Sequence, residues 1–257
     1  MIHLPLVLIA FLFGLCIGSF LNVCIHRIPE SKSIVRPGSM CPNCGHHIRF
    51  YDNIPVLSYA VLGGRCRSCR IPISLRYPAV ELLTGLLAAA VLLKFGPTVS
   101  ALVYFAFAAV LIAITFIDLD HRIIPDIISL PGIPIFFLAA LLVPEVSIKD
   151  SVLGFLVGGG SLFLVAWIYQ LLTHKEGMGG GDIKLLAMMG TLIGWQGVLF
   201  TIFVSSALGT VVGLGVMAAT RGNMKLAVPF GPFLSVGALA YLFYGPQLVH
   251  WYFTLLR

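Results

Sequence analysis

Apolar residues run in long blocks separated by short polar breaks through most of this 257-residue chain. Seven blocks approach the ~20 residues that a helix needs to cross hydrocarbon: Leu4–Cys24, Ala79–Leu93, Ser100–Ile117, Asp126–Leu142, Ser151–Leu172, Gln196–Ala219 and Pro229–Phe253. An eighth, Lys184–Gly194, reaches about half that length. Pro125-Asp126 is a good helix start. The pattern predicts an all-α, polytopic membrane protein with about eight transmembrane helices. One polar segment of any size interrupts it, Ile25–Pro78. The chain is therefore expected to divide into a first helix (1–24), a small loop domain (25–78) and a transmembrane domain (79–257).

Composition supports this reading. Hydrophobic residues make up 59% of the chain and charged residues 10%, against about 25% charged in a soluble domain. Mean hydropathy is +1.01. The leading block lacks a basic n-region and an Ala-x-Ala cleavage site, so it reads as a retained span rather than a signal peptide. The net charge of +6 is uneven. Eight of the 16 basic residues crowd one loop: Arg27, Lys32, Arg36, Arg49, Arg65, Arg67, Arg70 and Arg76. By the positive-inside rule that loop faces the cytoplasm. Successive crossings then place His121-Arg122, Thr173–Lys184 and Arg221–Lys225 on the same side, and all three carry Lys or Arg. Topology accounts for the basic charge, so no nucleic-acid partner is predicted.

Two carboxylates stand out against this background. Asp118 closes the run Ala101 to Ile117, and Asp182 follows Gly177-Met178-Gly179-Gly180-Gly181 just before another apolar stretch. A carboxylate at a helix centre in hydrocarbon costs up to about 2.5–3.5 kcal/mol on insertion scales, which makes such a residue a functional-site hypothesis. Both fall at the predicted cytoplasmic face. They suggest one shared site and an aspartyl hydrolase mechanism. Asp120 and Asp126 compete with Asp118. Asp126 reads as an N-terminal helix charge satisfying free amides, and Asp120 has solvated neighbours in His121 and Arg122. The short segment after Asp182 could sit in a protein-lined cavity or thin the bilayer, admitting water and a peptide. Lys184 could pair with a carboxylate or with lipid headgroups.

The polar loop carries Cys41-Pro42-Asn43-Cys44 and Cys66-Arg67-Ser68-Cys69. Two Cys-x-x-Cys pairs about 20 residues apart match a four-thiolate zinc site, each pair offering two thiolates to one tetrahedral ion. Disulfides and a redox pair are the alternatives, and a reducing cytoplasm disfavours structural disulfides. A closed four-cysteine site is usually structural. Cys16 and Cys24 read as buried apolar fillers of the first span.

Further motifs frame these sites: Gly18-Ser19-Phe20-Leu21-Asn22-Val23-Cys24-Ile25-His26-Arg27-Ile28-Pro29, then Pro72-Ile73-Ser74-Leu75-Arg76-Tyr77-Pro78-Ala79-Val80-Glu81, and finally Val228-Pro229-Phe230-Gly231-Pro232-Phe233-Leu234. Together with the cysteine loop and the two aspartates, they closely resemble the bifunctional type IV prepilin leader peptidase and N-methyltransferase family over nearly the whole chain. The resemblance implies a bacterial inner-membrane enzyme with its cysteine loop and active site facing the cytoplasm. Such an enzyme removes a short basic leader from prepilins or type II secretion pseudopilins after a glycine. It then methylates the new N-terminal residue with S-adenosylmethionine. It implies that Asp118 and Asp182 are the catalytic pair, and that the 25–78 loop belongs with methylation. No Gly-x-Gly-x-x-Gly stands in a strand–helix setting. The loop at Gly63-Gly64 is the candidate cofactor site, with Asn22, Arg76 and Glu81 as further candidates. A peptidase without methylation is the nearer rival. A proton- or cation-coupled transporter is the more distant one, and it lacks the inverted repeats common to that class.

Overall fold

The computed structural model describes residues 3–174, 179–219 and 228–255. Gly177 and Met178 of the glycine motif and the Arg221–Lys225 loop lie outside the described residues. Eight α-helices are described: α1 (Leu4–Arg27), α2 (Leu57–Val61), α3 (Arg76–Phe95), α4 (Val99–His121), α5 (Asp126–Ala140), α6 (Ile148–Thr173), α7 (Gly180–Ala219) and α8 (Gly231–Leu255). Among the described residues there is no β-strand, only the isolated bridges Met40–His47 and Arg65–Pro72.

Five described helices, α1, α3, α4, α6 and α7, are long and apolar enough to cross a membrane. The count of about eight also included α5, the stretch after Pro229 and two halves of α7. Asp126–Ala140 and Gly231–Gly245 are apolar but shorter. α7 does break where the sequence pattern changes. Gly194 has φ 69° and ψ 175°, outside helical values, and it divides the short first segment from the long second one.

The chain forms two compact units, Met1–Ala113 and Ile114–Arg257, dividing within α4. α3 therefore falls with α1 in the first unit. In the first unit α1 and α3 approach through small residues. A Cβ on Gly14 would come within 2.7 Å of Ala88 Cβ and 2.8 Å of Gly85 Cα, and one on Gly18 within 2.7 Å of Glu81 Cα. Gly14 and Gly18 stand four apart, the small-xxx-small spacing that brings backbones together where lipid offers no hydrophobic drive.

In the second unit α7 is the core element, with Leu185 through Gly194 continuously buried. α6 presses on it so closely that a Cβ on Gly154 would lie 2.0 Å from the Gly190 carbonyl oxygen. Ser151 Oγ donates to the Thr191 carbonyl at 2.5 Å, tying the start of α6 to the middle of α7. α8 is joined to the far part of α7 by Ser205 Oγ, which donates to the Phe233 carbonyl at 3.0 Å. Cys24 is buried as expected, but Cys16 is exposed, on a face of α1 away from its contact with α3.

Candidate active site and metal centre

Both singled-out aspartates lie in the second unit. Asp118 sits in the last turn of α4 and is buried, at 5% exposure. Its Oδ2 accepts a hydrogen bond from the Gly231 backbone N–H at 2.9 Å. Gly231 begins α8, so the carboxylate meets an otherwise unpaired amide at the positive end of that helix. Asp182 stands in the first turn of α7, at the positive end of a second helix, and is half-buried. The two carboxylates are close enough for their charges to act on each other.

Ile124 helps hold this arrangement. A Cβ on Gly181 would lie 2.9 Å from Ile124 Cβ, and one on Gly231 3.4 Å from Ile124 Cδ1 and 2.7 Å from Asp118 Oδ2. Both glycines are thus positions of close approach around the carboxylates. Gly231 and Ile124 were not singled out as site residues from sequence. Gly231 carried one signal, its place in Pro229-Phe230-Gly231-Pro232; Ile124 carried none.

The competing aspartates sit differently. Asp120 is exposed. Asp126 forms no side-chain cap on α5; its two oxygens instead accept from Lys184 Nζ at 2.7 and 2.8 Å. Asp126 stands in the first turn of α5, the N-terminal charge expected of it, and this ion pair supplies the carboxylate partner considered for Lys184. It crosses from the start of α5 to the first turns of α7.

The first unit brings all four loop cysteines together, with every Sγ within 4.8 Å of the others. Two similar turns achieve this. In one, Gly45 N–H donates to the Cys41 carbonyl at 2.9 Å and Cys41 N–H to His46 at 3.0 Å; in the other, Arg70 N–H donates to Cys66 at 3.0 Å and Cys66 N–H to Ile71 at 2.9 Å. Gly45 (φ 67°) and Arg70 (φ 60°) occupy the same left-handed position. A tetrahedral zinc with Zn–S bonds of about 2.3 Å sets its sulfurs about 3.8 Å apart. Cys41 Sγ and Cys69 Sγ stand 3.8 Å apart. The donor set therefore fits a soft divalent ion.

The thiols are electrostatically divided. The Ile71 amide, with help from Asn43, pulls Cys69 down to about 6. The His46 amide pulls Cys44 down too, but desolvation and its three cysteine neighbours raise it to about 11. A dication would relieve that conflict by favouring the thiolate at all four. The Asp52 carboxylate takes a bidentate grip from Arg67 at 2.6–3.1 Å, fastening the turn at Phe50–Asn53 to the second cysteine pair.

Beside this loop the first unit has a partly open cavity of about 950 Å³, lined by Asn22, Glu81, Tyr59 and Tyr77 among others. Gly63 and Gly64 are not lining residues. They form a turn at φ 60° and 67°, and a Cβ on Gly64 would lie 2.8 Å from the Tyr59 hydroxyl. Asn22 and Glu81 do line the cavity, whereas Arg76 does not.

A model of the Type IV leader peptidase family matches residues 105–214, and one of the Bacterial Peptidase A24 N-terminal domain matches residues 12–95. The prepilin leader peptidase/N-methyltransferase of Aeromonas hydrophila is 40% identical over 270 residues, covering 96% of this chain and 93% of that protein. The chain belongs to the prepilin leader peptidase/N-methyltransferase family. The Pseudomonas aeruginosa member is 38% identical over 97% of this chain and 94% of that protein, and the Pseudomonas putida member is 38% identical over 93% and 91%. No solved structure matches the chain. The two family models fall largely on the two compact units, with the cysteine loop under the first and both aspartates under the second.

Proposed function

We propose that this chain is a bifunctional enzyme of the bacterial inner membrane. It cleaves the basic leader from prepilins or pseudopilins after a glycine, then methylates the new N-terminus with S-adenosylmethionine. The reading has α5, α8 and both parts of α7 joining the other spans in about eight crossings, with the basic loop on the cytoplasmic side. The observation that carries the peptidase half is the buried Asp118 held by the Gly231 amide, within electrostatic reach of Asp182. Two adjacent carboxylates hold one proton between them more readily than none. The ionised member takes a proton from water as that water attacks the scissile carbonyl. The protonated member donates to the carbonyl oxygen, and the proton assignments exchange as the tetrahedral intermediate collapses. The helix N-termini behind each aspartate favour the anionic member of the pair, whichever it is.

Cys41, Cys44, Cys66 and Cys69 would hold zinc as a structural crosslink of the loop. The 25–78 loop and its neighbouring helices form the methylating part of this reading, and 79–257 supplies the peptidase. Methyl transfer to an amine depends chiefly on alignment, which the walls of a cavity can provide. Incubating the purified protein with a prepilin and S-adenosylmethionine, followed by mass spectrometry, tests both halves. Loss of the leader and gain of one methyl group is the expected result. An intact leader overturns the peptidase assignment, and a cleaved but unmethylated product leaves a peptidase alone.

A further inference from the structure

The cavity in the first unit contains a group that the peptidase does not use. Glu81, on the face of α3 that meets α1, is buried at 8% exposure. Its Oε2 accepts from the Val56 N–H at 2.8 Å. Among the described residues no Lys or Arg pairs with it. The other lining carboxylate, Asp52, is already taken by Arg67. A buried carboxylate with only a neutral donor is costly to ionise, and a cation arriving with a ligand would offset that cost.

The surroundings narrow the ligand. Val56, which donates to Glu81, has φ 62° and ψ −47°, a conformation that a β-branched residue adopts only when its surroundings force it. Asn22, buried beside Glu81 at 7% exposure, donates from Nδ2 to the Tyr77 carbonyl at 3.0 Å. The Tyr59 hydroxyl donates to the Ile73 carbonyl at 3.3 Å, fixing an aromatic face in the wall. Arg27 and His26 line the cavity as well, so it pairs one buried anion with basic groups elsewhere. A volume of about 950 Å³ suits a ligand of nucleoside size or larger. An aromatic wall, basic groups and one lone buried carboxylate match a molecule with a flat base, a carboxylate and a fixed positive centre.

We propose that this cavity binds S-adenosylmethionine, with Glu81 as the residue that meets the sulfonium charge. The proposal rests on the methyltransferase reading above and places the cofactor beside Asn22 and Glu81 rather than at Gly63-Gly64. The two glycines shape the turn that supports Tyr59. When bound, S-adenosylmethionine supplies a methyl group: the amine lone pair forms the N–C bond, the C–S pair returns to sulfur, and the new ammonium loses a proton to solvent. Sulfur is then neutral. Glu81 thus attracts the substrate and not the thioether product, which gives the site a preference for S-adenosylmethionine over S-adenosylhomocysteine and speeds clearance of product.

The test is binding, measured by calorimetry on the full-length protein in detergent. The wild type should hold S-adenosylmethionine at least tenfold more tightly than S-adenosylhomocysteine. Glu81→Gln retains an oxygen for the Val56 amide. It should lose that preference through weaker S-adenosylmethionine binding, with S-adenosylhomocysteine affinity within about twofold of wild type. Equal losses for both ligands, or no loss, overturn the role of Glu81 as the partner of the sulfonium charge. If the variant does not fold, photo-crosslinking of wild type to labelled S-adenosylmethionine decides. Adducts on peptides carrying Tyr59 or Tyr77 support the cavity, and adducts confined to residues 114–257 overturn it. A wild type that binds neither ligand and leaves mature pilin unmethylated ends the methyltransferase reading too. A wild type that binds and methylates while Glu81→Gln behaves like it ends only the role of Glu81.

Discussion

The four thiols and the two carboxylates are assembled by opposite means. Each pair of thiols is made by a local turn spanning a few residues, with the same backbone hydrogen bonds and a left-handed residue at the same place. Only the joining of the two turns requires tertiary structure, through contacts such as Asn43 Nδ2 to Cys69 Sγ at 3.7 Å. The carboxylates come from the end of α4 and the start of α7, and the amide that binds Asp118 comes from the start of α8. No local motif creates that meeting. A metal site can tolerate imprecise helix packing because the ion gathers its ligands, whereas an acid pair must be positioned by the packing itself.

The largest effect should come from charge removal in the second unit. Asp118→Asn or Asp182→Asn is expected to lower leader cleavage by at least about 10³-fold, since the one remaining carboxyl of the pair cannot serve as acid and base at the same time. Zinc content and methylation of an already mature pilin should be unchanged. Normal cleavage by either variant would remove the pair from the mechanism.

Next in size is loss of the metal. Cys66→Ser should leave the purified protein with less than about half an equivalent of zinc, because structural zinc supplies much of the folding energy of such loops. Methylation should fall at least about tenfold further than cleavage. Equal losses would show that the two units do not operate separately.

A smaller and more local test is Gly231→Ala. Its Cβ would come within 2.7 Å of Asp118 Oδ2, so the carboxylate or the start of α8 must shift. A displacement of that order should cost about 10–100-fold in cleavage, without changing zinc content. Unchanged kcat would mean that the Gly231–Asp118 contact is not part of the catalytic arrangement.

The smallest effects belong to the loop surface. Arg67 holds the Asp52 carboxylate below the usual range. A depressed carboxyl contributes stability that is present above its unfolded value, about 3.9, and disappears as pH falls through the lower folded value. Limited proteolysis of the loop should therefore accelerate below about pH 4 in wild type, and Asp52→Asn should show the faster rate already at neutral pH. Gly45→Ala adds a Cβ that meets nothing within 4 Å, so its cost is conformational alone, about 1 kcal/mol in thermal unfolding. Arg70→Gly, at the equivalent position, should be neutral or slightly stabilising.

The sequence by itself determined the features that depend on spacing and on long apolar runs. These include the helical membrane architecture, the break near Gly194, the two cysteine turns, and the suspicion attached to Asp118 and Asp182. Each is a property of neighbouring residues or of one segment facing lipid, so physical chemistry can be read along the chain. Tertiary structure alone decided the rest. It buried Asp118 while leaving Asp120 exposed, joined Asp126 to Lys184, brought Gly231 to Asp118, left Cys16 exposed, and set α3 with α1. It also put Glu81 and Asn22 in a cavity wall and left Gly63-Gly64 out of it. Those outcomes depend on which helix faces meet; a glycine spacing such as Gly14–Gly18 marks where a helix can be approached closely, but not which helix meets it.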